Sequence, residues 1–92
     1  MWQCALLLSS ACGPVTYSLE VGKAERAVEA ARAENAAYHA PYELAYAEAQ
    51  LDKAHEEAAQ GQYEDAIAAV GVALSYARRA LTRSASPGAF DP

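Results

Sequence analysis

Few residues in this sequence are suited to catalysis or to holding a metal. The 92 residues include two cysteines and two histidines. There is no second cysteine pair and no histidine pair spaced by three or four residues, so the usual ligand sets of a zinc site are missing. Acid–base catalysis needs convergent groups, whereas the acidic residues here are scattered along the chain. We therefore expect no enzymatic activity, no cofactor, no metal site and no small-molecule substrate.

The chain also lacks a long apolar run and an excess of basic residues. A helix that crosses a bilayer needs about 20 consecutive apolar residues, and the apolar runs here are far shorter. Seven basic and twelve acidic residues give a net charge of −5. Because an acidic chain is repelled by phosphate backbones, we expect no nucleic-acid partner.

Large apolar side chains are scarce as well. Hydrophobic residues make up 53% of the sequence, but 24 of them are alanines. Alanine favours helices but brings little transfer energy when buried. A chain of this length forms one domain at most, with a modest core. We expect thin packing that depends on a partner, a membrane surface or a second copy.

Apolar residues recur at spacings of three and four, which predicts three helices, over about 18–38, 41–60 and 62–83. His39-Ala40-Pro41 separates the first two, and Gly61 ends the second. A single glycine between two helices predicts an antiparallel hairpin. The fold class is thus all-α, with an up-down-up arrangement of three helices. Residues 84–92 are predicted to be a disordered tail.

The first twelve residues carry no charge, and an apolar segment, Ala5-Leu6-Leu7-Leu8, precedes small residues and Cys12. This pattern resembles the signal and lipobox of bacterial lipoproteins, although Ser9 stands where a large residue is usual. The resemblance implies that residues 1–11 are removed and that Cys12 carries the lipid. Residues 12–17 would then tether a helical domain, residues 18–83. Two alternatives are a frayed apolar N-terminus with incidental cysteines and a Cys4–Cys12 disulfide.

The segment Gly61-Gln62-Tyr63-Glu64-Asp65-Ala66-Ile67, followed by Ala73-Leu74, resembles the turn and second helix of a tetratricopeptide repeat. In the preceding helix, Gln50 stands where that family has an aromatic residue. The sequence contains no second repeat, and arrays generally need about three. The resemblance therefore implies a lone hairpin.

A wider resemblance covers residues 40–80. It includes Ala40-Pro41-Tyr42-Glu43-Leu44, Ala47-Glu48-Ala49-x-Leu51-x-Lys53-Ala54 and Gly61-x-Tyr63-x-x-Ala66-Ile67. These motifs are similar to a family of small helical envelope lipoproteins of Gram-negative bacteria, classed as a domain of unknown function. The resemblance implies a location and an architecture but no activity. Gly13, a non-aspartate residue after Cys12, implies sorting to the periplasmic face of the outer membrane.

Tyrosines are the candidate contact residues, because tyrosine is common in binding hot spots. Tyr42 and Tyr46 lie one turn apart on the second predicted helix, with Tyr38 just before it. Val72, Tyr76 and Ala69 form a second patch. In the alternative interpretation, the first helix packs against the Tyr42 and Tyr46 side and the rings fill the gap between the two helices. The arginines at 78, 79 and 83 are expected to complement the dipole at a helix end.

The leading hypothesis is a lipid-anchored envelope protein that acts as a non-enzymatic scaffold or protein-interaction module. It binds the membrane through its lipid and either contacts another envelope protein or self-associates. One alternative is a soluble cytoplasmic adaptor of tetratricopeptide type. The other is a self-associating structural protein, in which two thin cores combine.

Overall fold

The computed structural model describes the backbone of residues 2–85 and the side chains of residues 13–85. Its helices are α1 (Trp2–Ala33), α2 (Ala36–His39), α3 (Pro41–Ala59) and α4 (Tyr63–Ala85), and the described part of the chain contains no strand. The predicted all-α fold is confirmed. Three long helices form the bundle, and α2 is a single turn between the first two.

The turn between α3 and α4 ends one helix in the way that the sequence predicts. Gly61 has φ +77, in the left-handed region that glycine adopts without strain. Its N–H donates to the carbonyl of Ala58, and the N–H of Gln62 donates to the carbonyl of Glu57, both at 2.9 Å. These two bonds form a Schellman motif. The chain therefore reverses here and lays α4 antiparallel to α3.

The first helix ends earlier than expected. Asn35 has φ 64, and this left-handed residue separates Ala33 from the short helix α2. Asparagine tolerates that conformation better than most residues, so the break costs little. The prediction of one uninterrupted helix over about 18–38 is therefore wrong, and Tyr38 is 78% exposed. The break at Ala40-Pro41 is confirmed, with Pro41 in the first turn of α3.

At its other end, α1 begins well before residue 18. Residues 12–17, which were predicted to form a tether, are helical, and Pro14 lies inside the helix. The side chains of residues 1–12 are outside the described set, so the signal segment and the role of Cys12 stay predictions. The disordered tail was predicted to begin at residue 84, but Ser84 and Ala85 belong to α4. The rest of the predicted tail, residues 86–92, lies outside the described residues.

Side-chain pairs fix the directions of the three long helices. On α1 and α3, Arg32 Nε donates to Glu48 at 2.9 Å, and Glu25 lies 3.5 Å from His55 Nε2, so these helices are antiparallel. A Cβ on Gly13 would lie 3.4 Å from the Cβ of Tyr63, which places the first half of α1 beside the start of α4. Helix α1 packs mainly on α4 and less on α3. The result is the predicted up-down-up order.

The core is built largely from alanine. Among the described side chains, 11 of the 15 buried hydrophobic residues are alanines, and the others are Val28, Leu44, Leu51 and Val70. Small side chains let the helices approach closely but bury little apolar area. On α4, Ala69 and Ala80 are buried, so Ala69 is not part of an exposed patch with Val72 and Tyr76, whereas Ile67, Leu74 and Leu81 are only half-buried. The thin core expected from composition follows from these residues.

Gly71 of α4 does not serve a close approach between helices. It is exposed, and a Cβ built at this position meets no atom within 4 Å. The residue is therefore an interior helical glycine without a packing role.

Candidate tyrosine–arginine interaction surface

Antiparallel pairing of α3 and α4 brings three tyrosines together on the surface. The rings of Tyr42 and Tyr46, one turn apart on α3, are stacked with centroids 6.1 Å apart and an interplanar angle of 17°. Tyr76 of α4 meets both: its centroid lies 4.5 Å from that of Tyr46 and 6.3 Å from that of Tyr42. Such pairs contribute roughly 0.5–1.5 kcal/mol beyond the area they bury. The three residues form one aromatic cluster.

The two rings of α3 in this cluster face solvent, whereas Tyr76 is half-buried and packs against the core. Tyr42 is 65% exposed and Tyr46 is 37% exposed. Helix α1 instead reaches α3 on the side of Glu48 and His55. The expectation that α1 packs against the Tyr42 and Tyr46 side is therefore wrong. A helical pattern gives the face on which a residue lies, but the choice of neighbour for that face depends on how the helices are arranged.

An arginine extends the cluster toward the end of α4. The guanidinium carbon of Arg79 lies 4.7 Å from the centroid of the Tyr76 ring, which is a cation–π contact. We call Tyr42, Tyr46, Tyr76 and Arg79 the tyrosine–arginine surface. It presents aromatic faces, phenol groups and a fixed positive charge. This combination is typical of the residues that contribute most to protein binding.

Beside this surface lies an open cleft lined by Glu43 of α3 and by Arg78, Arg79, Thr82 and Arg83 of α4. Arg83 donates a hydrogen bond to Glu43 Oε2, which joins the first turn of α3 to the last turn of α4. The Glu43 side chain is only 13% exposed. Its Oε1 is buried and accepts no hydrogen bond from the described residues.

The pKa of the Glu43 carboxyl is the balance of opposing effects. Burial disfavours the charged form and by itself would raise the pKa. The hydrogen bond from Arg83, a hydrogen bond to the backbone N–H of Glu43 itself and the positive charges of Arg83 and Arg79 act the other way. Together they outweigh burial and hold the pKa below its ordinary value. Glu43 is thus a carboxylate that is already paired with the guanidinium of Arg83.

The structure assembles some of the predicted contact residues and separates others. Tyr42, Tyr46 and Tyr76 meet, as described. Val72 lies one turn before Tyr76, is 38% exposed and lines the continuation of the α3–α4 seam. Tyr38 is apart from the cluster, and its ring contacts only His39 edge-on among the described rings, at 5.0 Å. The predicted lipid attachment at Cys12 falls outside the described side chains.

Sequence reasoning missed two features of the site. It did not connect Arg79 with Tyr76, although their spacing of three residues on a helix was a usable signal. It also assigned Arg78, Arg79 and Arg83 together to the helix dipole. With α4 extending to Ala85, only Arg83 lies in the last turn, and the dipole effect falls off within that turn.

The opposite side of α3 carries a more acidic cleft. Glu25, Glu29, Glu48, Asp52 and His55 line it, and Arg32 donates hydrogen bonds to both Glu29 and Glu48. Within the described residues, no group of three or more histidine, cysteine or acidic side chains is arranged to hold a metal ion. Ion pairs across this cleft connect α1 with α3.

Two further findings bear on function. Across residues 2–85, no helix combines the length and apolar character needed to traverse a bilayer. No protein-family profile, curated protein or solved structure matches this chain.

Proposed function

We propose that this protein is a non-enzymatic interaction module that binds another protein through the tyrosine–arginine surface. The observation that carries the proposal is the placement of its aromatic residues. Three of the six tyrosines cluster on the surface, while the core is mostly alanine. Burying one large side chain stabilises a fold by about 1.5–3 kcal/mol. A thin core would gain from the rings of Tyr42 and Tyr46, so their exposed position favours a role in recognition.

The surface is also well organised for binding. A tilted ring contact holds Tyr46 against Tyr76, and the cation–π contact holds Arg79 over Tyr76. Binding costs roughly 0.5–1.5 kcal/mol for each flexible side chain that must be immobilised. Side chains that already support one another lose less freedom when a partner docks. The hairpin turn at Gly61 underlies this arrangement, since it sets α3 beside α4.

A substitution with a matched control tests this surface. Tyr42→Ser removes an exposed ring of the cluster, and Tyr38→Ser removes an exposed ring outside it. After photo-crosslinking in cells, we expect Tyr42→Ser to abolish the main crosslinked species and Tyr38→Ser to retain it. Equal retention by both variants, with unchanged thermal unfolding, would refute recognition through the cluster.

We further propose that Cys12 is lipidated and that the lipid holds the module at the periplasmic face of the outer membrane. The apolar segment before Cys12 supports cleavage and lipidation at that residue, and so does Pro14. Inside a helix, proline removes a backbone hydrogen bond and costs about 3 kcal/mol. If the mature chain begins at Cys12, Pro14 falls in the first turn of α1, where its missing N–H costs nothing.

The anchor has its own test, which is independent of the surface. The full chain is expressed in a Gram-negative cell, and wild type is compared with Cys12→Ala. We expect wild type to sediment with membranes at the mass of a lipidated chain that begins at residue 12. The variant should be neither cleaved nor lipidated. A wild-type protein that is soluble and has the mass of the unmodified chain would exclude the anchor and favour the cytoplasmic adaptor.

A second candidate function is self-association. Val15 and Leu19 of α1 are 57% and 64% exposed, one turn apart on the same helix. Pairing two copies there would supplement the alanine core. Sedimentation at two concentrations distinguishes the candidates: a concentration-independent monomer argues against self-association, and a dimer that Leu19→Ser dissociates supports it.

A further inference from the structure

We propose that the partner presents an acidic peptide segment, whose carboxylates pair with Arg78 and Arg79 while an adjoining apolar side chain packs on the tyrosine rings. The inference rests on the proposed interaction function and names the chemistry of the partner. Its basis is the charge in the cleft beside the aromatic cluster, the contact of Arg79 with Tyr76 and the position of both arginines along α4.

The cleft carries a local excess of positive charge in an acidic protein. Among the described residues that line it, three are arginines and one is a carboxylate, which leaves two positive charges in excess, against a net charge of −5 for the chain. Glu43 is engaged by Arg83. Within the described residues, neither Arg78 nor Arg79 has a carboxylate within 4 Å, the limit for an ion pair. The site is therefore complementary to an added acidic group.

Arg79 combines an aromatic contact with the ability to bind a carboxylate. Its guanidinium carbon lies 4.7 Å from the centroid of the Tyr76 ring, and a guanidinium can bind a carboxylate through two parallel hydrogen bonds. Because Tyr76 already restrains this side chain, a ligand immobilises it at a lower entropic cost. The same ring is shared with Tyr46, so the charged and aromatic parts of the site are continuous.

The helix dipole does not account for these two arginines. Basic residues stabilise a helix when they lie in its last turn, and here that residue is Arg83. Arg78 and Arg79 lie earlier in α4, which continues to Ala85. Their position beside an aromatic cluster is explained by a ligand that carries the opposite charge.

A peptide fits this site better than a membrane or nucleic acid does. An extended anionic surface would also face the acidic residues of the remaining bundle, whereas a short peptide meets only the local arginines. Exposed charges interact over about 10 Å at 0.1 M salt. Arg78 lies fifteen residues along α4 from Tyr63, or about 23 Å at 1.5 Å per residue, and Tyr63 packs against Gly13. A lipid on Cys12 would therefore hold the arginines away from the membrane.

The test measures binding of two labelled peptides to the purified full chain by fluorescence anisotropy. One peptide has glutamates on both sides of a tryptophan, and the other has glutamines in place of the glutamates. We expect only the acidic peptide to bind, with an affinity that falls as salt is raised. Arg79→Gln should weaken binding at least tenfold, since it removes a charge-assisted contact. Arg26→Gln, which removes the same charge from an exposed position on α1, should leave binding unchanged.

Each remaining outcome overturns the inference in a recognisable way. Equal binding of the two peptides contradicts a site for carboxylates. An equal loss of affinity for the acidic peptide in Arg79→Gln and Arg26→Gln contradicts it as well. Stronger binding to phosphatidylglycerol vesicles than to the peptide, lost in Arg79→Gln, would assign the arginines to a membrane. If the acidic peptide fails but the Tyr42-dependent crosslink persists, the inference fails while the proposed function stands. If both are absent, the proposed function fails too.

Discussion

Tyr46 of α3 and Tyr76 of α4 lie with their ring centroids 4.5 Å apart, and this pair connects the two arms of the hairpin at the surface of the protein. Tyr42 and Arg79 extend the contact on either side. The pair forms because the Schellman turn at Gly61 sets α4 antiparallel to α3. A surface feature therefore depends directly on a local backbone conformation.

The ion pair between Glu43 and Arg83 makes stability depend on pH. Because the pKa of Glu43 is lower in the folded than in the unfolded chain, the unfolded chain binds more protons in the acidic range. The stabilisation is fully present above the ordinary value of 4.5 and is lost as pH falls through the folded pKa. We expect Glu43→Gln to lower the free energy of unfolding by about 1 kcal/mol at pH 7, and this difference to shrink below pH 4.5.

Urea denaturation of wild type and Glu43→Gln at a series of pH values measures that difference. Glu56→Gln, at an exposed position on the same helix, controls for the loss of one negative charge. A gap between wild type and Glu43→Gln that stays constant down to the acid limit of folding would contradict the assigned ion pair.

The two glycines of the hairpin should respond oppositely to alanine. Gly71 is exposed within α4 and has open space around it, so Gly71→Ala should stabilise the protein by about 1 kcal/mol. Gly61 has φ +77, a conformation that costs other residues about 1–2 kcal/mol. Gly61→Ala should therefore destabilise it. Thermal unfolding measures the direction of each change in stability. A shift of the unfolding midpoint in the same direction for the two variants would be inconsistent with the structure.

Close helix packing through alanine predicts a penalty for larger side chains in the core. Ala73 is fully buried on α4, while Ala68 is exposed on the same helix. Ala73→Leu should overfill the core and destabilise the fold by about 1–3 kcal/mol. Ala68→Leu, the same substitution at a solvent-exposed position, should alter stability by less than about 0.5 kcal/mol. Equal unfolding midpoints for the two variants would show that the alanine core is loosely packed.

The elements that the sequence predicts well are those set by local chemistry. Pro41 begins a helix and Gly61 ends one because their backbone preferences are strong. The buried stripe of α3, which includes Leu44 and Leu51, follows from helical spacing alone. Asn35 was harder to place, since asparagine is only one of several residues that reach the left-handed region and is also tolerated inside helices.

The candidate site was predictable only in part. Spacing put Tyr42 and Tyr46 on one face, but their contact with Tyr76 depends on the offset between α3 and α4, which no local pattern encodes. The contact of Arg79 with Tyr76 depends on a side-chain conformation as well. The segment from residue 12 to residue 17 was assigned to a tether because Pro14 and the absence of charge are typical of one, although it is helical in the structure.

The central claim, recognition through the tyrosine–arginine surface, is tested most directly by a photoreactive phenylalanine derivative in place of Tyr42. The matched control places the same group at Ala30, which is exposed on α1. In intact cells, we predict a discrete crosslinked species from position 42 that is lost with Arg79→Gln and is absent from position 30. Crosslinks of equal yield from both positions, or a species from position 42 that Arg79→Gln leaves unchanged, would contradict the account.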